Sequence, residues 1–249
     1  MSLLATQNLS LSVADRMLVN GLTLQFNPGE CWAVIGPNGS GKTTLLHALA
    51  GLRCAEQGTI SLNDKLLEKH QARERAQKIG LLLQEESSIF HGTVTEYIQL
   101  GQFSQGTWLS GLSSADLQAH AAMKSMYIGS QADRPWSTLS GGERQRARLA
   151  QLLAQAPDIF LLDEPLLHLD LRHQLAVMEC FQALAREQAK TVIMVLHDAL
   201  WASQFCDHTL MLYDDGTCRF GQTTTLINKD NLARLYGCSM DRFEFQLPA

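Results

Sequence analysis

The 249-residue sequence contains no apolar run approaching the ~18–20 residues needed to span a bilayer. Its N-terminus lacks the pattern of a secretory signal peptide. The six cysteines, at 31, 54, 180, 206, 218 and 238, include no C-x-x-C pair. That spacing argues against a zinc site or a disulfide framework and predicts reduced thiols in the cytoplasm. A basic excess is missing too. Lys+Arg number 20 against 25 Asp+Glu, for a net charge of −5 and a pI ≈ 5.9, which argues against nucleic acid as a partner. No internal repeat or low-complexity tract is present. What remains, 45% hydrophobic and 18% charged residues, suffices to bury an ordinary globular core.

Against that background one stretch stands out, Gly36-Pro37-Asn38-Gly39-Ser40-Gly41-Lys42-Thr43. It fits G-x-x-x-x-G-K-[ST], the phosphate-binding loop of nucleoside triphosphatases. The apolar run Cys31–Ile35 before it reads as a buried strand, and Thr44–Ala50 after it reads as a helix. In that context the glycines let the backbone curl its N–H groups inward as an anion nest at a helix N-terminus. Lys42 is placed to reach the β- and γ-phosphates, and Thr43 to offer its hydroxyl to Mg²⁺.

Along the chain, residues 3–11 and 22–26 read as strands, punctuated by Asn20-Gly21 and Asn27-Pro28-Gly29. Residues 58–63 form another short strand, and 65–78 a charged helical or irregular segment. A buried strand over 79–83 delivers Gln84 at its end. Helices are expected over 93–102 and 115–127, with a Gly/Ser-rich loop, 103–114, between them. A helix over 140–156 shows helical periodicity and a polar face. A strand over 158–162, a helix over 171–189, a strand over 191–196 and a helix over 199–205 follow. A hairpin turns at Asp214-Asp215-Gly216, and a helix over 229–236 and a strand over 242–247 end the chain. Strands alternating with helices imply a largely parallel α/β sheet, with antiparallel strands at both ends as a flanking element.

Two further patterns carry chemistry. Ile159-Phe160-Leu161-Leu162-Asp163 is an apolar strand ending in a carboxylate, with Glu164 next. A strand of this kind is expected beside the first, so that Asp163 holds Mg²⁺ and Glu164 orients or deprotonates the attacking water. Leu139-Ser140-Gly141-Gly142-Glu143 opens a helix, with Ser140 as N-cap and Glu143 completing a capping box. The double glycine also exposes backbone N–H groups at a positive helix end. A second anion-binding end in one chain suggests a site completed between two copies.

The ordered set of phosphate loop, Leu139-Ser140-Gly141-Gly142-Glu143 and Leu161-Leu162-Asp163-Glu164-Pro165 resembles the nucleotide-binding domain of ATP-binding-cassette (ABC) proteins over essentially the whole chain. The resemblance implies a single ABC ATPase domain over residues 1–249. Its fold is the P-loop NTPase α/β fold, a mainly parallel sheet core with an antiparallel β element and a helical subdomain inserted over about 84–156. It also implies ATP and Mg²⁺ as cofactors. ATP is held by residues 36–44 (Gly36, Pro37, Asn38, Gly39, Ser40, Gly41, Lys42, Thr43, Thr44) and, from a second copy, by Ser140, Gly141 and Gly142, with Asp170 in the D-loop. Thr43, Gln84 and Asp163 hold the metal. Glu164, His197, Gln84 and Lys42 form the catalytic set, with Gln84 also sensing the membrane partner. Two copies pair head to tail, so that ATP binding closes the dimer and hydrolysis opens it. One departure stands out: the family's adenine-stacking aromatic is missing from Ser12–Met17, where only Val13 or Arg16 offers apolar or cationic contact.

Three kinds of work fit such a cassette. A translation-type protein resembles two cassettes in tandem, and a DNA-maintenance protein carries a long coiled coil that is missing between Thr43 and Leu139. A non-catalytic scaffold would lack Glu164 or His197. The importer reading is favoured, with two transmembrane permease subunits as partners, a periplasmic binding protein acting indirectly, and no nucleic acid. The expected place is the cytoplasmic face of the bacterial inner membrane. Asp170-Leu171-Arg172-His173-Gln174 resembles the D-x-x-H-Q pattern of the subfamily importing vitamin B12, haem and iron–siderophore chelates, and the vitamin B12 importers most of all. The bland alternative for His173-Gln174 is two polar residues on an exposed helix face. The chain leaves no room after the cassette for the regulatory domain of some sugar importers. Glu85, Glu86, Ile89, Phe90 and His91 are expected to receive the permease helices, with Ile89 and Phe90 either anchors for them or core residues.

Overall fold

The computed structural model describes residues 3–83, 90–105 and 112–240. The chain opens with strands β1 (Leu4–Val13) and β2 (Arg16–Phe26), then β3 (Cys31–Ile35) and helix α1 (Lys42–Leu49). Strands β4 (Gln57–Leu62) and β5 (Lys65–Leu66) precede α2 (Ala72–Lys78), β6 (Ile79–Leu82) and α3 (Val94–Gln99). Helices α4 (Leu112–Ser125) and α5 (Gly141–Gln155) lead to β7 (Ile159–Asp163), α6 (Leu171–Gln188) and β8 (Thr191–Val195). The described chain closes with α7 (Ala199–Phe205), β9 (His208–Leu212), β10 (Cys218–Gln222), α8 (Thr223–Leu226) and α9 (Lys229–Tyr236). The strand expected over 242–247, and much of the loop expected over 103–114, lie outside the described residues.

Two sheets result. One is antiparallel, in the order β2-β1-β4-β5; the other runs β10-β9-β3-β8-β7-β6. From β9 to β6 the second sheet is parallel, and β10 joins its edge antiparallel to β9. Both faces of the parallel part are covered, as its continuous apolar strands require. Side chains alternate between the faces. Trp32 and Val34 of β3 join a core with Leu4, Phe26 and Leu62 of the antiparallel sheet and Leu45 and Leu49 of α1. Cys31, Ala33 and Ile35 face the opposite core, built with α3 to α7, in which the Phe160 and Phe181 rings meet edge to face at 5.4 Å.

Two expectations need correction. First, β1 and β2 form one long hairpin, whose turn places Ala14 at φ 51° with no glycine to advertise it. Asn20-Gly21 is an irregularity inside β2, where the Gly21 N–H donates to Ser10 Oγ at 3.1 Å. Second, β7 does not lie beside β3, because β8 runs between them. Asp163 is brought near Thr43 nonetheless, since α1 crosses the sheet towards β7. Phe90 is half-buried, edge to face with Tyr97 at 5.4 Å and Trp136 at 6.4 Å. Phe90 thus packs against the core while keeping part of its surface exposed; Ile89, Glu85 and Glu86 lie outside the described residues.

At the other end of the sheet, Asp158 ties three strands together. Its backbone bonds Lys78 and Thr191, while its carboxylate accepts from Lys78 Nζ at 2.8 Å and Lys190 Nζ at 2.9 Å. Partial burial pushes this carboxyl up, but the two lysines outweigh it and hold the group below the ordinary carboxylate value. A depressed folded-state value contributes stability above the unfolded value and loses it as pH falls through the folded one. Asp158→Asn is therefore expected to lower stability at pH 7, with the gap from wild type closing under acid. Urea melts of both chains at pH 7 and pH 3.5 check this, and a gap that widens at low pH contradicts it.

Candidate nucleotide site

The strand–loop–helix geometry around Lys42 follows from local chemistry. At Gly41, which caps α1, the backbone takes φ 98°, a left-handed conformation open to glycine at little strain. This turns the loop so that α1 begins at Lys42. The Lys42 side chain is buried, and its ammonium donates to the carbonyls of Gly36 at 2.9 Å and Pro37 at 2.8 Å. Burial holds its pKa below the ordinary lysine value, opposed by the negative charges of Glu164, Asp163 and Asp214.

Asp163, at the C-terminal end of β7, is 1% exposed, and neither carboxylate oxygen has a hydrogen-bond partner. Burial pushes its carboxyl up, against the Thr43 hydroxyl nearby. The Ser40 hydroxyl is likewise buried and unpartnered. Orphaned buried polar atoms of this kind call for a ligand. Asp163 and the Thr43 hydroxyl beside it fit a hard divalent cation that takes one carboxylate and one hydroxyl from protein and its remaining ligands from phosphate and water. Among the described residues no group of three His, Cys, Asp or Glu side chains could hold a metal ion.

Glu164 follows with φ 51°, and its carboxylate, 12% exposed, meets His197 Nε2 at 2.6 Å. A cleft of ≈ 600 Å³ runs past both, lined by Asn38, Gly39, Gly41, Lys42, Thr43 and Thr44 and ending on Val13, Arg16 and Leu18. The structure thus brings Lys42, Thr43, Glu164 and His197 to one cleft, with Asp163 beneath it. Gln84 lies outside the described residues.

Ser140, Gly141, Gly142 and Asp170 do not line this cleft. Ser140 caps α5 as expected: its N–H donates to Glu143 Oε2 at 2.8 Å, and Glu143 N–H donates to Ser140 Oγ at 3.3 Å. The second glycine has a reason within the chain. A Cβ at Gly142 would stand 2.8 Å from the His168 carbonyl oxygen, so the α5 N-terminus packs directly on the 166–170 turn. Asp170 caps α6, accepting from His173 N–H at 3.0 Å, and its carboxylate is 2.8 Å from His173 Nδ1. Gln174 Nε2 donates to the Leu169 carbonyl at 3.0 Å and that of Leu166 at 3.4 Å. Gln174 is therefore a loop-binding side chain, whereas His173 pairs on the exposed side with the residue that caps its own helix.

The far end of the cleft holds the surprise. Arg16 ion-pairs with Asp214 at 3.1 Å and also donates to its carbonyl at 3.4 Å. Asp214 belongs to the β9–β10 turn, which no local pattern connects to residue 16.

A cleft with a curled glycine loop, a buried lysine and a strand-end acid defines a phosphate-loop nucleoside triphosphatase of α/β fold. The family model described as ABC transporter matches residues 19–167. The chain belongs to that family, and it is an ATP-binding cassette with ATPase activity. It is 34% identical over 237 residues to a Bacillus subtilis ATP-binding protein assigned to a siderophore transport system, covering 95% of this chain and 86% of that one. An inward-facing structure of a transporter assigned to the metal-chelate type is similar with TM-score 0.80 at 29% identity, over 94% of this chain and 89% of that one. A dimeric ATP-binding cassette in a post-hydrolysis state, bound to ADP and Pi, is similar with TM-score 0.79 at 25% identity, over 88% and 98%.

An exposed guanidinium over an aromatic face contributes about 0.5–1 kcal/mol, a factor of roughly two to five in affinity. Arg16→Ala is expected to weaken ATP binding by about that factor, with binding of inorganic tripolyphosphate unchanged. Calorimetric titration of both ligands decides it. Equal losses for both would place Arg16 on the phosphates rather than the base.

Proposed function

We propose that this chain is the ATPase subunit of a metal-chelate importer, with vitamin B12 as the substrate, acting as one cassette over residues 1–249 on two transmembrane permease subunits. The observation that carries the mechanism is the Glu164–His197 contact in a cleft lined by Lys42 and Thr43, with the buried Asp163 beside Thr43. In this reading Lys42 leaves the Gly36 and Pro37 carbonyls for the β- and γ-phosphates. Asp163 and Thr43, with Gln84, hold Mg²⁺, which neutralises charge on the phosphates. Glu164 takes the proton of the attacking water, and His197 orients Glu164 and meets the γ-phosphate.

Ser140, Gly141, Gly142 and Asp170 serve the cleft of a second copy placed head to tail. The support is their absence from this chain's own cleft together with the positive dipole end of α5, which persists although the capping box satisfies its own N–H groups. ATP then binds the two copies together, and hydrolysis, by dividing the charge they share, releases them. Substrate reaches the permease from a periplasmic binding protein, and the cassette sits on the cytoplasmic face of the inner membrane. In keeping with a peripheral subunit, no helix among the described residues is long and apolar enough to cross a membrane.

The substrate class rests on the similarity to siderophore and metal-chelate systems, and vitamin B12 rests on the resemblance of the Asp170–Gln174 pattern. An iron–siderophore or haem is the second reading, favoured by the siderophore relative. Glu164→Gln is expected to abolish turnover and to trap a dimer in ATP–Mg²⁺, seen as a shift in size-exclusion elution. A variant that still hydrolyses ATP and elutes as a monomer would overturn both the base and the two-copy site. For the substrate, cells deleted for the chain are expected to lose uptake of labelled cyanocobalamin and to regain it on complementation. Loss of ferric-siderophore or haem uptake alone would move the assignment to the second reading.

A further inference from the structure

Helix α5 reaches the Glu164 turn from behind. Gln145 is 5% exposed, and its amide donates to the Pro165 carbonyl at 3.1 Å and the Glu164 carbonyl at 3.4 Å. Its own oxygen accepts from Arg148 Nη1 at 3.1 Å. The other terminal nitrogen of Arg148 donates to the Leu83 carbonyl, and Leu83 directly precedes Gln84. Three elements are joined in this way: the end of β6, the body of α5 and the turn that follows β7.

Glu164 needs such support. It holds a left-handed backbone at φ 51° without being glycine, a conformation that persists only where its surroundings determine it. The Leu167 N–H, donating to the Glu164 carbonyl at 3.2 Å, closes the turn locally. Only Gln145 reaches both carbonyls of the Glu164-Pro165 step from another element among the bonds described. A buried amide can also orient just one way here, because Arg148 is a donor alone and demands the amide oxygen.

We propose that Gln145 and Arg148 are positioning residues for Glu164. Gln145 fixes the peptide that carries the carboxylate, and Arg148 aims Gln145 while tying it to the chain entering residue 84. A displacement of that segment then reaches the carboxylate through two side chains, without passing through the nucleotide. This inference rests on the reading of Glu164 as the base for water.

Gln145→Met keeps the volume and removes the amide; Arg148→Lys keeps a charge that can reach one partner but not two. Steady-state ATPase of the full chain is expected to show kcat reduced about 10–100-fold in Gln145→Met, the scale set by an ångström of misplacement. KM for ATP and calorimetric ATP affinity are expected to stay within twofold of wild type, and Arg148→Lys to recover part of the rate lost in Arg148→Met. A purely structural role would instead lower kcat and ATP affinity together, with no difference between the two Arg148 variants, and would overturn the proposal. So would wild-type kcat in Gln145→Met. If Gln145→Met fails to fold, the Arg148 pair alone decides between these outcomes. Glu164→Gln measured alongside separates the two levels: activity retained there removes the base reading itself, whereas activity lost there but kept in Gln145→Met removes only the positioning role.

Discussion

The structure depends on an electrostatic debt that only a ligand settles: two opposite charges, Lys42 and Asp163, are buried at the same edge of the sheet. Burial disfavours both ionised forms, holding the lysine value down and the carboxyl value up. In the chain alone Lys42 turns back onto two carbonyls, while Asp163 finds no hydrogen-bond partner at all. A triphosphate with its cation supplies the missing opposite charge to each. The antiparallel sheet, α1 and the central strands are arranged to hold those two groups at the C-terminal edge of a covered parallel sheet, where ligands of such sheets bind.

That edge is also where the α5 helix acts twice. Its first turn lies against the His168 carbonyl, close enough that a side chain at Gly142 would collide. Its second turn supports the Glu164-Pro165 step through Gln145. Gln174 and Asp170 fasten the 166–170 turn from the side of α6. The segment from Glu164 to Asp170 is thus gripped by two helices. Well-packed contacts of this kind transmit displacement rather than absorb it.

Much of this was legible in residues, for identifiable reasons. The phosphate loop, the Ser140–Glu143 capping box and the apolar run ending in Asp163 are patterns of adjacent residues, where chemistry and spacing are read together. The helices over 199–205 and 229–236 fall at the bounds read from the sequence. What stayed hidden depends on distant partners. The order β3-β8-β7 is a matter of crossover connections, which no local pattern records. The hairpin turn at Ala14 lacks its usual glycine, and Asn20-Gly21 advertises a turn where the strand merely bulges. Gln145 and Arg148 read as part of the polar face of an amphipathic helix, since polarity alone does not say whether water or a carbonyl is the partner. Arg16 was visible as a substitute for an aromatic, but its anchor, Asp214, lies 198 residues away.

The division of labour along α5 bears on why a cassette would need a second copy. Within one chain the helix N-terminus is satisfied by its own capping box, and it points to a turn, not to the cleft that holds the phosphate loop. The same helix nevertheless carries the groups that steady Glu164 in that cleft. On the proposed head-to-tail pairing, one rigid element serves two nucleotides: its body supports Glu164 beside its own chain's ATP, and its tip is offered to another's. Any rotation of the helix that brings its tip onto a partner's triphosphate also bears on Gln145 and its own Glu164. In such a geometry closing one site is mechanically a statement about the other, which is what two clefts driving one pair of permease subunits require.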